Sequence, residues 1–295
     1  MKKFKQLISI LIRFTITFGI LFFLFKKTDF AKLKEIFKNL SFFPYLIALL
    51  CFNSFQLMVA LRWQKLCESW GFKQNYFFFL KSYLMGFSLN TVMPGIVGGD
   101  ILRTFLLTKK GLPFKKATFS VMVDRFYGLL GIFFILSVSL PLYGGFLPIN
   151  FYYFIIFITY SVIISFFLIS LFFTKIYPKE YFNPVRLPYN LFPVLLGILI
   201  QVLFVLQFVF LGLALHLQIN YSYFFVIIPI ISFLAALPLS ISGLGVREGS
   251  LSYFLSLLGF SIEHGISLGM LGYSLILISA LPGIYFYLKT RVSWK

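Results

Sequence analysis

Charged residues inside long apolar stretches are the strongest chemical signal in this sequence. The candidates are Arg62, Lys81, Asp100, Arg103, Asp124, Arg125, Arg247 and Glu248. A charge in hydrocarbon is costly, so such residues usually pair with one another or mark the path of an ion or substrate. We therefore expect a charge network, a binding site, or both.

Asp100 and Arg103 follow Gly98 and Gly99 at the predicted start of a helix. Free N–H groups at a helix start bind anions, and glycine lets a ligand approach the backbone closely. An arginine there can hold a phosphate through two hydrogen bonds. Asp100 could instead cap the helix, but capping leaves Arg103 unexplained.

Asp124 and Arg125 lie about ten residues into an apolar segment. Adjacent residues on a helix do not face each other, so each needs a partner elsewhere. Asp124 could neutralise Arg103 or Arg247, and Arg125 could pair with Glu248 or bind a substrate phosphate. The alternative is a salt-bridge lattice that holds the helices together, and the two roles are compatible.

A second motif resembles the first, because Arg247 and Glu248 follow Gly243 and Gly245. Two helix starts with one arginine each would form a positive cavity where they meet. The headgroup of a phospholipid, or a polyprenyl phosphate, suits such a cavity.

The composition indicates the solvent in which these residues lie. Of the 295 residues, 60% are hydrophobic and 12% are charged, and the mean hydropathy is +0.96. Soluble domains are nearer a quarter charged, so the composition excludes a soluble enzyme. The net charge of +18 lies mainly in connections between apolar runs, which favours anionic lipid headgroups over nucleic acid. The sequence has no metal-ligand spacing, and we expect no cofactor.

The elements that must position the charges are membrane helices. About 20 apolar residues cross the hydrocarbon core, and six segments qualify: 7–25, 43–61, 115–140, 150–174, 190–216 and 265–288. Two further segments, 76–110 and 222–260, are broken by proline and glycine and are interpreted as re-entrant hairpins. Arg62 and Trp63 end the second crossing, and from residue type alone we interpret them as interface anchors.

The basic connections predict the orientation. Lysine and arginine concentrate in segments 62–75, 109–116, 175–189 and 289–295, and are missing from 141–149 and 217–222. This pattern places both termini in the cytoplasm of a multi-pass protein of the inner (cell) membrane. The lysines of 26–38 are an exception, for which we predict an amphipathic interfacial helix over 30–40 with an apolar stripe of Phe30, Leu33, Phe37 and Leu40.

An internal repeat is predicted from matches at a shift of 144 residues. Pro94, Gly99, Arg103 and Gly128 recur as Pro238, Gly243, Arg247 and Gly272. Each half would hold three crossings and one hairpin, so the second half would be inverted relative to the first. The prediction is one membrane domain over 1–295, with repeats over about 1–145 and 146–295. Inverted repeats with broken helices near the midplane are typical of transporters.

These residues also carry a family resemblance. The motifs are Arg62-Trp63, Asn90…Pro94-Gly95…Gly98-Gly99-Asp100…Arg103, Asp124-Arg125 and 243–249 (Gly-Leu-Gly-Val-Arg-Glu-Gly). Together they resemble the lysylphosphatidylglycerol synthase transmembrane-region family of flippase-like membrane proteins, over nearly the whole chain. The resemblance implies lipid handling without the aminoacyl-transfer domain of the large bifunctional members, so we expect a stand-alone member.

On this basis the predicted function is a lipid flippase, not an enzyme. Predicted substrate-binding residues are Arg103, Arg247, Asn90, Gly98, Gly99, Gly243, Gly245 and Arg62, and the predicted charge network is Asp100, Asp124, Arg125 and Glu248. The sequence has no GxxxxGK[ST] motif, so transport would be downhill or ion-coupled. Expected partners are anionic membrane lipids, with a second copy or lipid-synthesis enzymes as further possibilities. The alternatives are an intramembrane lipid transferase using Asp100 or Asp124 as base, or a scaffold subunit of a lipid-synthesis complex.

Overall fold

The architecture comes from a computed structural model that describes residues 26–92, 98–236, 243 and 245–290, with positions 15, 17, 19, 20 and 22–24. Val92 is described by its backbone alone. The secondary structure of these residues is helical, without strands. The predicted all-α class is therefore confirmed.

Ten α-helices follow residue 29 in the described part of the chain. They are α1 (Phe30–Lys38), α2 (Phe42–Glu68), α3 (Tyr76–Val92), α4 (Gly98–Lys109), α5 (Phe114–Tyr143), α6 (Ile149–Leu171), α7 (Leu191–Ala214), α8 (Phe224–Ala236), α9 (Val246–Leu257) and α10 (Ile262–Thr290). Asp29 caps α1 by accepting hydrogen bonds from the amides of Ala31 and Lys32.

Five of the described helices are long and apolar enough to cross a membrane: α2, α5, α6, α7 and α10. They match five of the six predicted crossings. The remaining predicted crossing, 7–25, lies largely outside the described residues, and its described positions are helical. The predicted amphipathic helix is confirmed as α1, but the predicted stripe is wrong at Phe30, which is 59% exposed, because Ile36, Phe37 and Leu40 form the face against the core.

Helices α3 and α4 form a hairpin that returns to the end of the bundle where it starts. Phe79, near the start of α3, and Leu107, near the end of α4, lie in one buried cluster. The same cluster contains Cys67 at the end of α2 and Ala117 at the start of α5. We call this the basic end. The predicted tip at Pro94 and Gly95 lies outside the described residues.

Helices α8 and α9 form a second hairpin at the opposite end. Ser139, near the end of α5, donates a hydrogen bond of 2.7 Å to the carbonyl of Phe225 at the start of α8. Ser252, in the second half of α9, donates to the carbonyl of Ile262 at the start of α10 (3.2 Å). The two hairpins therefore enter the bundle from opposite ends, as the predicted inverted arrangement requires.

The helix bounds repeat along the chain, but at a different shift from the predicted one. Tyr76 and Phe224, which start α3 and α8, are 148 residues apart, and so are Phe114 and Ile262, which start α5 and α10. The motif residues recur at a shift of 144, four residues fewer than the helix starts, and the predicted repeat stays a prediction. At 148, Asp100 corresponds to Glu248 and Arg103 to Leu251.

The packing of the helices follows the same symmetry. Helix α3 packs on α10, and its counterpart α8 packs on α5. The central pair, α2 and α7, is antiparallel, since the amide of Ser41 before α2 donates to the carbonyl of Ala214 at the end of α7 (2.9 Å). The division of the chain at residue 145 stays a prediction.

Candidate functional site

Asp124 is the centre of a buried ionic cluster. Its carboxylate accepts hydrogen bonds from Nε of Arg62 (2.9 Å) and from Nη2 of Arg103 (2.8 Å). The three side chains are between 3% and 6% exposed. Helices α2, α4 and α5 are therefore joined by one carboxylate, and the charges of the two arginines are partly neutralised at low dielectric.

Aromatic rings fix the guanidinium of Arg103. Its Cζ lies 4.1 Å from the ring centroid of Trp63 and 5.5 Å from that of Tyr83. Trp63 is held in turn by a hydrogen bond of 3.1 Å from its Nε1 to the hydroxyl of Ser120. A guanidinium over an aromatic face is attracted by the ring quadrupole, most strongly where water is excluded. Arg103 is thus held in place by rings as well as by Asp124.

A second carboxylate extends the cluster towards the bundle surface. Asp100 forms an ion pair with Arg125 and lies 3.9 Å from Nη1 of Arg103. The connected cluster contains three arginines and two carboxylates: Arg62, Arg103, Arg125, Asp100 and Asp124. When all five groups are ionised it carries one excess positive charge, which an anion would neutralise.

Close contacts shape the start of α4. The amide of Gly99 donates to Oδ1 of Asn90 (2.8 Å), so the side chain from α3 takes a free N–H of this helix start. A Cβ on Gly99 would overlap the carbonyl of Gly86. Glycine at position 99 is therefore required by the α3–α4 crossing, whether or not a ligand approaches there.

The second hairpin builds its own ion pair. Nη2 of Arg247 lies 2.9 Å from Oε1 of Glu248, and Oε2 of Glu248 accepts the amide of Gly245 at 2.8 Å. Gly243 and Gly245 have φ angles of +77° and +78°, a region that favours glycine. The Arg247 guanidinium lies 5.7 Å from the ring of Tyr273.

The structure decides between several of the sequence-based alternatives. Asp124 neutralises Arg103, as one alternative held. The predicted pairing of Arg125 with Glu248 is wrong, because Asp100 pairs with Arg125 and Arg247 pairs with Glu248.

Two further interpretations need correction. The interpretation of Arg62 and Trp63 as interface anchors is wrong, because both are buried and face α5. The alternative in which Asp100 caps the helix is also wrong. A cap residue stands before the first helical residue, and α4 already includes Gly98.

Substrate binding by the predicted residues stays a prediction. The geometry does show that the amides of Gly99 and Gly245 are already taken by side chains of their own hairpins.

Sequence reasoning missed the aromatic partners of Arg103. Tyr83 is one of many aromatic residues in apolar stretches, and nothing in its spacing distinguishes it. Trp63 had a usable signal, since it adjoins Arg62 and could have been placed beside the same cluster. Gln201 was also missed, although an amide side chain in a strongly apolar helix is a recognisable signal.

A groove runs along the surface between α4 and α5. Its volume is about 410 Å³, and its walls are mainly apolar, including Ile101, Phe105 and Met122. Asp100 and Arg125 also line it. The groove therefore connects an apolar surface with the ionic cluster. Among the described residues, no group of three or more His, Cys, Asp or Glu side chains could hold a metal ion.

Comparison with known proteins identifies the family. The family model described as lysylphosphatidylglycerol synthase TM region matches residues 10–282. No curated protein matches the chain. Because the match covers both hairpins, every charged residue of the two clusters lies within it. The chain therefore belongs to the lysylphosphatidylglycerol synthase transmembrane-region family and is a multi-pass membrane protein.

Proposed function

We propose that this protein moves an anionic lipid, a phospholipid or a polyprenyl phosphate, between the leaflets of the cell membrane. The observation that carries the proposal is the groove between α4 and α5, which combines apolar walls with Arg125 and Asp100. Apolar walls suit acyl or isoprenoid chains. The excess positive charge of the adjoining cluster suits a phosphate.

The depth of Arg125 supports this proposal. It lies eleven residues after Phe114, the first residue of α5. At 1.5 Å per residue, this is about 16 Å along the helix axis. The hydrocarbon core is about 30 Å thick, so Arg125 falls near mid-depth if α5 starts at the interface. A headgroup in transit needs a polar partner at that depth.

The proposed orientation follows from the charges at the two ends. The basic end carries Lys65, Lys109, Lys115 and Lys116 at the ends of α2, α4 and α5, and Lys73 and Lys110 on the connections next to them. We propose that this end faces the cytoplasm, in line with the positive-inside rule. Helix α10 ends there too, since Phe286 stacks edge-on against Phe77 at the start of α3. The C-terminus is then cytoplasmic.

The test is leaflet exchange in liposomes containing the purified protein. Tail-labelled phosphatidylglycerol and a labelled polyprenyl phosphate are compared with phosphatidylcholine, and a membrane-impermeant quencher reports the outer leaflet. We expect exchange of an anionic lipid well above the rate in protein-free vesicles. No acceleration for either anionic lipid would overturn the proposal.

Substitutions test the residues. Arg103→Gln and Arg247→Gln remove one charge each, and we expect exchange to fall about tenfold, the equivalent of about 1.4 kcal/mol. Lys65→Gln is the control, because it removes a charge from the partly exposed Lys65–Glu68 pair. Unchanged rates in both arginine variants would contradict their predicted role in substrate binding.

The same vesicles separate transport from chemistry. Mass spectrometry of the lipids after incubation should recover each lipid unaltered. A new lipid species that forms only in the presence of the protein would contradict the flippase and favour a lipid transferase.

A further inference from the structure

Helix α1 lies at the end of the bundle opposite the basic end, and it is strongly basic. Ser41, just before α2, is bonded to the end of α7, which places α1 at this end. The connections 141–149, 217–222 and 258–261 at the same end contain no lysine or arginine. In the described part of the chain, the lysines of this end are Lys26, Lys27, Lys32, Lys34 and Lys38. Positive charge on the side that usually lacks it calls for a local partner.

The side chains of α1 point in three directions, and two of these are occupied by the protein itself. Ile36, Phe37 and Leu40 pack against the core of the bundle. Lys32 and Glu35 line a cavity of about 740 Å³ between α1 and the ends of α7 and α10. The acidic residue of α1 therefore lies on the cavity side of the helix.

The third direction is taken by Phe30, Lys34 and Lys38. They are four residues apart, so they lie in one row on the helix. All three are exposed, and the two lysines form no ion pair within the described part of the chain. We call this row the basic stripe. An aromatic side chain beside lysines on an amphipathic helix is typical of segments that lie on anionic membrane surfaces.

Glu263 connects α1 to the rest of the protein. Its Oε1 accepts a hydrogen bond of 3.0 Å from the amide of Asp29, the residue that caps α1. Glu263 is 6% exposed and lies at the start of α10. Helix α10 also packs directly on the second hairpin, since a Cβ on Gly269 would lie 2.7 Å from Cγ of Glu248. The same helix therefore contacts both α1 and the ion pair of the second hairpin.

We propose that the basic stripe binds the anionic surface of the bilayer, and that Glu263 transmits the seating of α1 to α10. Charge complementarity selects this partner, because Lys34 and Lys38 face outwards while Glu35 faces the cavity. Phe30 enters the interface beside the lipid headgroups. Anionic lipid thus orders α1 and stabilises the first half of α10. This inference is independent of the proposed transport, since it needs only negative charge at the bilayer surface.

Hydrogen–deuterium exchange of the full-length protein in nanodiscs tests the seating. The discs contain phosphatidylcholine alone, or phosphatidylcholine mixed with phosphatidylglycerol or with phosphatidylserine at equal surface charge. We expect the amides of α1 to exchange about thirtyfold more slowly in both anionic discs, as two lysines at a charged surface imply. Equal exchange in all three discs would overturn the proposal. Slowing by one anionic lipid alone would overturn it too, because it would indicate a specific lipid site.

Single substitutions locate the surface on the helix. Lys34→Gln and Lys38→Gln should each reduce the slowing about fivefold. Lys32→Gln is the matched control, because it makes the same change of charge on the same helix but on the cavity side. We expect it to leave the slowing unchanged. An equal reduction in all three variants, or in none, would contradict the assignment to the basic stripe.

The connection through Glu263 is read from α10 in the same experiment. We expect the first half of α10 to exchange more slowly in the anionic discs. Glu263→Met removes the oxygen that accepts the amide of Asp29 and should abolish this slowing in α10, while α1 still responds to anionic lipid. Glu263→Gln keeps an accepting oxygen and should behave like the wild type. Loss of the α10 response in both variants, or in neither, would overturn the role of Glu263.

Discussion

Nε of Arg62 lies 2.9 Å from Oδ1 of Asp124, although 62 positions separate the two residues in the sequence. Nη2 of the same arginine donates to the backbone carbonyl of Asp124, also at 2.9 Å. The contact ties the last third of α2 to the first half of α5. Since Asp124 also accepts from Arg103, one carboxylate balances two buried cations.

Removal of the Asp124 charge should therefore be strongly destabilising. Asp124→Asn keeps the shape of the side chain but leaves the three arginines of the cluster with one counter-charge, at Asp100. Breaking a buried ion pair costs about 3–5 kcal/mol, and we expect a loss of that size in the free energy of unfolding in mixed micelles. Glu68→Gln breaks the partly exposed Lys65–Glu68 pair and should cost less than about 1 kcal/mol. Similar losses in the two variants would contradict the central role of Asp124.

More of the fold than of the candidate site could be predicted from the sequence. Long apolar segments bounded by charge gave five crossings that the described helices match, because length and hydropathy are local properties. The ion pairs were harder to predict. Several arginines could pair with Asp124 as judged from the sequence, and only the packing of the helices selects among them. Arg62 shows the limit most clearly. Its residue type and position suit an interface anchor, and only the tertiary structure buries it beside Asp124.

The crossing of α5 and α7 depends on glycine. A Cβ on Gly131 would overlap the carbonyl oxygen of Gly197, so the backbones of the two helices approach directly. We expect Gly131→Ala to force the helices apart and lower the unfolding midpoint, at a cost of about 1–3 kcal/mol. Gly145→Ala is the control, because nothing lies within 4 Å of the added atom. A Gly131→Ala protein as stable as Gly145→Ala would contradict the close approach.

The rings around Arg103 should contribute measurably to stability. Tyr83→Phe keeps the ring beside the guanidinium, and we expect little change in the free energy of unfolding. Tyr83→Leu removes the ring and should cost about 1–2 kcal/mol more than packing alone explains. Phe79→Leu, on the same helix and fully buried, measures the packing loss without a nearby arginine. If Tyr83→Leu costs no more than Phe79→Leu, the cation–π contact contributes nothing.

The two hairpins predict a labelling pattern that distinguishes a hairpin from a single membrane crossing. Lys73 and Lys110 flank the α3–α4 hairpin, whereas Gln218 and Ser261 flank the α8–α9 hairpin, and all four are exposed. Single cysteines at these positions, in a Cys51→Ser, Cys67→Ala background, are treated in intact cells with a membrane-impermeant maleimide. We expect labelling at 218 and 261 from outside, and at 73 and 110 only after the membrane is opened.

This pattern follows because each hairpin returns to its own end of the bundle and the basic end is the proposed cytoplasmic one. Phe79 and Leu107, from the two arms of the first hairpin, share one buried cluster, so both flanks of that hairpin must lie on one side. If positions 73 and 110 are labelled from opposite sides, the hairpin crosses the membrane. If all four positions give the reverse pattern, the hairpins stand but the orientation is inverted, and the groove between α4 and α5 then opens from the outer leaflet.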